Sequence, residues 1–232
     1  MHTKRHERRF PVALIAMILA FTSLAAARVP DCTPGSLSDY EKLGAQGCAI
    51  GDKNFSNFTY HRAPNGLAAS AISVTPGTVT ESDDPALLFE AAWVTPSPGS
   101  SLSYQVEVAT AGSRISGASL EMQSGQITGT GQAGVTAELH QSSEAPSTCG
   151  AAELTLNVVL AGSQRKKALD KGQLKDPARR LCVVTPVSVT PGKSGSASLK
   201  GFMTVFHSSA TSAAQSTSAS AVQAPSPAEA GR

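Results

Sequence analysis

Charged residues make up only 16% of this 232-residue sequence and aromatic residues 5%, with a formal net charge of +2. No global excess of positive charge is therefore on hand to draw in a polyanion. No CxxC pair occurs, and the histidines are scattered too widely for metal-ligand spacing, which argues against a zinc site. GxSxG is absent, so His61, His140 and His207 have no nucleophile elbow to serve and read as surface or strand-end residues. No internal repeat of roughly 20–50 residues occurs, which argues against a solenoid.

What is present begins with an address label. Lys4, Arg5, Arg8 and Arg9 precede an apolar run from Val12 to Leu24, and Ala25, Ala26 and Ala27 offer a small-residue cleavage site, so residues 1–27 read as a secretory signal. The run is well short of the roughly 20 apolar residues a spanning helix needs. Without that segment the chain holds 15 basic against 16 acidic side chains, a net of −1. The nominal basicity thus belongs to the label, and neither nucleic acid nor a membrane is an expected partner.

Four cysteines, all beyond residue 27, suit an oxidising compartment. Three pairings are open. The sequence-local one, Cys32 with Cys48 and Cys149 with Cys182, is preferred because each bridge then closes a modest loop, the first worth roughly 3 kcal/mol on loop entropy. Inside the first loop Ser36 can cap a short helix carrying Leu37, Tyr40 and Leu43 on one face, with Gly44 ending it. Beyond Cys48, Phe55 is out of phase with Phe58 and Tyr60, which predicts a bulged strand.

Period-two alternation dominates the remainder. Leu87, Phe89, Ala91 and Trp93 alternate, as do Leu102, Tyr104, Val106 and Val108 against Ser103, Gln105 and Glu107. The longest alternation runs from Ile127 to Leu139, and small residues at its start suggest close backbone approach or a bend between sheets. Leu154 to Leu160 and Ala197 to Val205 repeat the pattern. Val-Thr-Pro recurs at 74, 94, 184 and 189, each reading as a strand end closed by proline. Eight to ten short strands predict an all-β fold, an antiparallel β-sandwich of jelly-roll-like kind spanning 28–207, with one short N-terminal helix. From 208 to 232 the chain is nearly all Ser, Ala, Thr, Gln, Pro and Gly, the composition of a disordered tail.

The run LSDYEKLGAQGCAIGDKNFSNFTY (37–60), followed in order by ALLFEAAW, SLSYQVEV, ITGTGQAGVTAELH and GKSGSASLKGFMTVF, resembles a group of bacterial secreted proteins of unknown function. Many of these end in a PEP-CTERM (exosortase-type) sorting tag. The resemblance implies an extracellular β-rich domain and carries no catalytic residue to transfer. This chain ends PSPAEAGR without the tag, so anchoring by that route is not expected.

Candidate sites are few. Gly129 to Gly134 match GxGxxG, but alternation continues through Leu139, so no helix starts there to face a pyrophosphate. Glu81, Asp83 and Asp84 could offer oxygens to calcium, although Asp84-Pro85 is ordinary turn chemistry. Glu107 and Glu138 read as solvated strand residues that would have to converge across a cleft to act as a glycosidase pair. Arg165, Lys166, Lys167, Lys171, Lys175, Arg179 and Arg180, against Asp170 and Asp176, read as a solvated loop with a candidate role in polyanion binding. Trp93, Phe55, Phe58 and Tyr60 read as core before they read as a sugar-stacking platform. Together these point to a secreted, extracellular or periplasmic, non-enzymatic β-sandwich without cofactor or metal, acting as a structural or adhesive component beside a matrix polysaccharide. The alternative is a carbohydrate-binding module or a hydrolase acting on surface polysaccharide.

Overall fold

An alternating run such as Leu102 to Val108 turns one set of side chains inward and the other outward once it is extended. In the computed structural model Leu102, Tyr104, Val106 and Val108 are buried between two sheets. The structure describes residues 28–94, 97–142, 149–162 and 164–210; the expected signal and nearly all of the expected tail lie outside them.

In chain order the strands are β1 (Gly35–Ser36), β2 (Cys48–Ile50), β3 (Lys53–His61), β4 (Ser73–Thr78), β5 (Pro85–Val94), β6 (Ser97–Val108) and β7 (Ser113–Gly129). There follow β8 (Gln132–Gln141), β9 (Ala152–Ala161), β10 (Gln164–Lys167), β11 (Leu169–Ala178), β12 (Arg180–Thr190) and β13 (Gly195–Ala210). Helix α1 (Leu37–Lys42) lies between β1 and β2. One sheet is ordered β1-β4-β5-β13-β7-β11 and the other β10-β9-β8-β12-β6-β3-β2, with every named pair antiparallel. This is the all-β antiparallel sandwich that the alternation predicts. No helix among the described residues is long and apolar enough to cross a membrane.

Aromatic rings run through the largely aliphatic core between the sheets. Tyr104 stacks on Phe58 at 5.3 Å, meets Phe206 edge-on at 6.2 Å, and lies 6.0 Å from Phe89. Phe89 stacks on Phe202, which touches Trp93, and Tyr40 of α1 closes on Phe58. Helix α1 is short, as expected. It is held by a capping box, in which the Ser36 hydroxyl accepts from the Asp39 amide and the Asp39 carboxylate accepts from the Ser36 amide. Leu37 and Tyr40 anchor it to the core, and Gly44 at φ +53 ends it. The bulge expected in β3 falls between Ser56 and Thr59, with Asn57 at φ +54.

The chain changes sheets repeatedly, and at three of these crossings sequence and packing can be read together. Residues 30–32 pair with β2 through Ala49 N–H to Pro30 and Cys32 N–H to the Ala49 carbonyl, then continue into β1 of the opposite sheet. The Cys32–Cys48 disulfide pins that crossing to β2. At the second crossing, β7 passes into β8 through Gly129 and Gly131. A Cβ on Gly129 would lie within 2.4 Å of the Ser194 carbonyl, just before β13, and one on Gly131 equally close to the Ser196 carbonyl at the start of β13, so the small residues there do serve close approach and a bend. At the third, β10 leaves β9 and becomes β11, paired with β7. Asp170 faces inward at that switch, and its carboxylate accepts the Asn157 backbone N–H of β9 at 2.7 Å. The second disulfide joins Cys149 to Cys182 of β12, so the sequence-local pairing is the one found and no described cysteine is free.

Several expectations are corrected. Residues 164–180 form two strands and the start of a third rather than a loop, because β10 pairs with β9 as the edge strand of one sheet and β11 with β7 as that of the other. Residues 113–126 were not expected as a strand, yet β7 lies between β13 and β11 in its sheet. The last strand runs to Ala210, past the boundary expected at 207, because the Ser208 hydroxyl is held by Lys53 and Asp52. Pro76 and Pro186 lie within β4 and β12 instead of closing them. Toward β8 the partners of β12 lapse at Thr185 and Pro186, so the proline ring faces a gap in the ladder.

Two outcomes test this packing. Phe206→Ala is expected to cost about 3–5 kcal/mol in denaturant unfolding, as large cavities in cores do. Replacing Cys32 and Cys48 together by serine should lower stability by roughly 3 kcal/mol while leaving the strand signature of far-ultraviolet circular dichroism in place.

Candidate functional site

The acidic segment before β5 folds back on itself. Val79 N–H donates to the Asp84 carbonyl, while the Ser82 and Asp83 amides donate to the Val79 carbonyl, with Asp83 at φ +53. The segment forms one wall of a groove of about 340 Å³ over the outer face of the β13-β7-β11 part of its sheet. Glu81 and Asp84 enter from that wall, Met203 and His207 from β13, Glu121 from β7, and Lys171 from β11. Asp83 does not line it.

Asp84 is the fixed point of the groove. Its Oδ2 lies 2.8 Å from His207 Nδ1. Burial pushes the Asp84 carboxyl up, but hydrogen bonds to His207 and Ser82 and the charges of His207 and Lys53 outweigh it and hold the group below the ordinary carboxylate range. Lys53 is itself fully buried, its ammonium donating to Asp52 at 2.8 Å and to the Ser208 hydroxyl at 2.7 Å. Among the described residues, no group of three or more His, Cys, Asp or Glu side chains could hold a metal ion.

The basic run is dispersed by its strands. Arg165, Lys166 and Lys167 lie on β10, Lys171 and Lys175 on β11, and Arg180 opens β12. The Lys167 ammonium pairs with Asp170 at 2.8 Å, while Lys175 is exposed. Arg179 and Arg180 converge with a third arginine that sequence reasoning passed over, Arg114 at the start of β7. These three and Glu107 line a second pocket of about 440 Å³, formed where β6 and β8 end and β7 and β12 begin. Glu107 is not the solvated residue expected. Its Oε2 accepts from Arg180 Nε at 3.0 Å and Nη2 at 2.6 Å, and its Oε1 lies 3.6 Å from Arg179 Nε.

The remaining candidates do not assemble. Glu138 lines neither pocket and lies 3.7 Å from His140 Nε2. His140 is a strand-end residue as expected but a buried one, with Nδ1 2.7 Å from the Gly150 carbonyl oxygen. Phe55, Phe58 and Trp93 are core, and Tyr60 packs against it, so none offers a ring to a sugar. Gly129 to Gly134 form a strand end, a turn and a strand start. Glu121 and Arg114 were missed because β7 breaks step. Its inward residues fall at Ile115, Ala118, Leu120 and Met122, a spacing of three and then two. Only the polar partners Ser119 and Glu121 keep a short outward period.

No family model and no curated protein matches the chain. Among solved structures, the enzymatically active domain of bacteriophage CBA120 tailspike protein 4 is similar over 68% of this chain at 10% identity and a TM-score of 0.27; this chain spans 20% of it. TmCBM61, solved in complex with β-1,4-galactotriose, is similar over 66% of this chain and 90% of its own, at 9% identity and a TM-score of 0.27. Likenesses this slight carry no argument about this chain's function.

The Asp84–His207 contact makes a signed prediction. A carboxyl whose folded pKa is depressed contributes stability above its unfolded value and loses it as pH falls through the folded one. The advantage of the native protein over Asp84→Asn in thermal unfolding should therefore hold at about pH 5 and shrink as pH falls toward about 3.

Proposed function

We propose that this is a secreted, non-enzymatic β-sandwich that serves as a structural or adhesive component of the cell exterior, in contact with matrix polysaccharide. The supporting observation is how three of its acidic groups are held. Asp39, Asp84 and Asp170 are all kept below the ordinary carboxylate range by partners within the chain. For Asp39 the main cause is the hydrogen bond from Lys42, followed by those from Ser36. For Asp170 burial acts upward and is outweighed by Lys167 and the Asn157 amide. A carboxyl that delivers a proton to a leaving group near neutral pH needs the opposite bias, a neutral form favoured by its surroundings. Two disulfides add resistance to unfolding that suits an oxidising exterior.

One observation favours a second reading. The groove beside β13 is lined by Glu81 and Glu121 together with the Asp84–His207 pair, and a hydrolase of surface polysaccharide would draw its carboxylates from such a groove.

Incubation with a panel of neutral and acidic polysaccharides, with detection of new reducing ends, separates the two. The expected result is retention of the protein on polymer without release of reducing ends. Turnover that disappears in Glu121→Gln or Glu81→Gln would replace the first reading with the second.

A further inference from the structure

We propose that the pocket formed by Arg114, Arg179 and Arg180 is a binding subsite for a carboxylate or sulfate group of an acidic polysaccharide. The inference rests on the adhesive reading above and assigns that reading a place on the molecule.

The three guanidiniums meet one carboxylate, so the pocket carries a formal charge of +2. Glu107 grips Arg180 through two N–H donors on a single oxygen and holds Arg179 more loosely, at 3.6 Å. That arrangement fixes the Arg180 fork while leaving the Arg179 side chain 64% exposed. Arg114 is exposed too and makes no ion pair among the described residues. The mouth thus presents two planar, weakly hydrated forks, Arg114 and the loosely paired Arg179, and a planar or tetrahedral oxyanion can take parallel N–H donors from them.

The rest of the lining narrows the ligand. Gln141, Ser142, Pro177 and Ala178 complete the pocket, and no aromatic side chain is among them. A base would find no ring to stack on, which disfavours single-stranded nucleic acid. Beyond residue 27 the chain carries a net charge of −1, so its overall field does not collect polyanions. Retention must come from this local geometry, and a charge removed elsewhere should matter little.

The test uses the full mature protein on immobilised polygalacturonate (carboxylate), dextran sulfate (sulfate ester), unmodified dextran and single-stranded DNA. Arg114→Gln is the diagnostic variant, since an exposed arginine without an ion pair can be removed without unfolding the sandwich; an unchanged melting temperature checks this. Lys200→Gln removes the same charge from an exposed position on β13. The expected result is retention on one acidic polymer but not on dextran, weakened about tenfold by Arg114→Gln and less than about twofold by Lys200→Gln. Preference between the acidic polymers then assigns a uronate or a sulfate ester. Equal losses in the two variants, or Arg114-dependent capture of the DNA in place of the polysaccharides, would overturn the proposal. Retention on dextran that ignores Arg114 would leave the adhesive reading standing without this site. Retention on no polymer would remove both.

Discussion

Tyr104 lies where the two sheets meet, and the rest of the sandwich depends on the rings around it. It contacts Phe55 and Phe58 of its own sheet and Phe89 and Phe206 of the opposite one. Each such ring removes a large apolar area from water, and tilted or edge-on pairs add about 0.5–1.5 kcal/mol beyond that burial. Aromatics are scarce here, and the packing draws Tyr40, Phe58, Tyr104, Phe89, Phe202 and Trp93 into one continuous chain. The consequence reaches function. With the rings enclosed, the described surface has guanidiniums, carboxylates and amides to work with rather than aromatic platforms.

Charge is organised by the same economy. A sandwich has two open edges, and strands left there invite pairing with another chain. At one edge residues 30–32 and β1 cross between the sheets under a disulfide. At the other β10 and β11 cross, carrying exposed lysines along β11, and Asp170 ties the crossing to β9. The basic run is in this light an edge device first. Its final pair, Arg179 and Arg180, leaves the edge and meets Arg114 at the end of the sandwich, where guanidiniums gather in a recess.

Much of the fold was legible because burial on one face writes period two into the chain. Leu102 to Val108 and Ala133 to Leu139 show it without interruption, and both are strands buried on that face. The failures have physical causes. β11 lies at an edge with one flank in water, so Leu169 to Ala178 needed few apolar residues and read as loop. β7 shifts register against β13 between His207 and Ser208, opposite the step from Ile115 to Ala118 where its apolar set slips phase. Pro186 read as a strand end because a proline lacks the N–H a ladder needs, whereas here the ladder omits that position. Of the candidate sites, Glu81 and Asp84 were visible as an acidic turn and Arg179 and Arg180 as part of a basic run. Their partners Glu121, His207 and Arg114 lie 37 or more positions away in the chain.

By itself the sequence determined the class of the fold, the capped helix, the bulge after Phe55 and the preferred cysteine pairing, since each follows from a local period, a capping side chain or a short closed loop. Only the tertiary structure decided which charges meet. Arg114 comes to share a recess with Arg180, and Asp84 reaches His207, through strand order and register, and these are set by how two whole sheets pack rather than by any neighbouring residue.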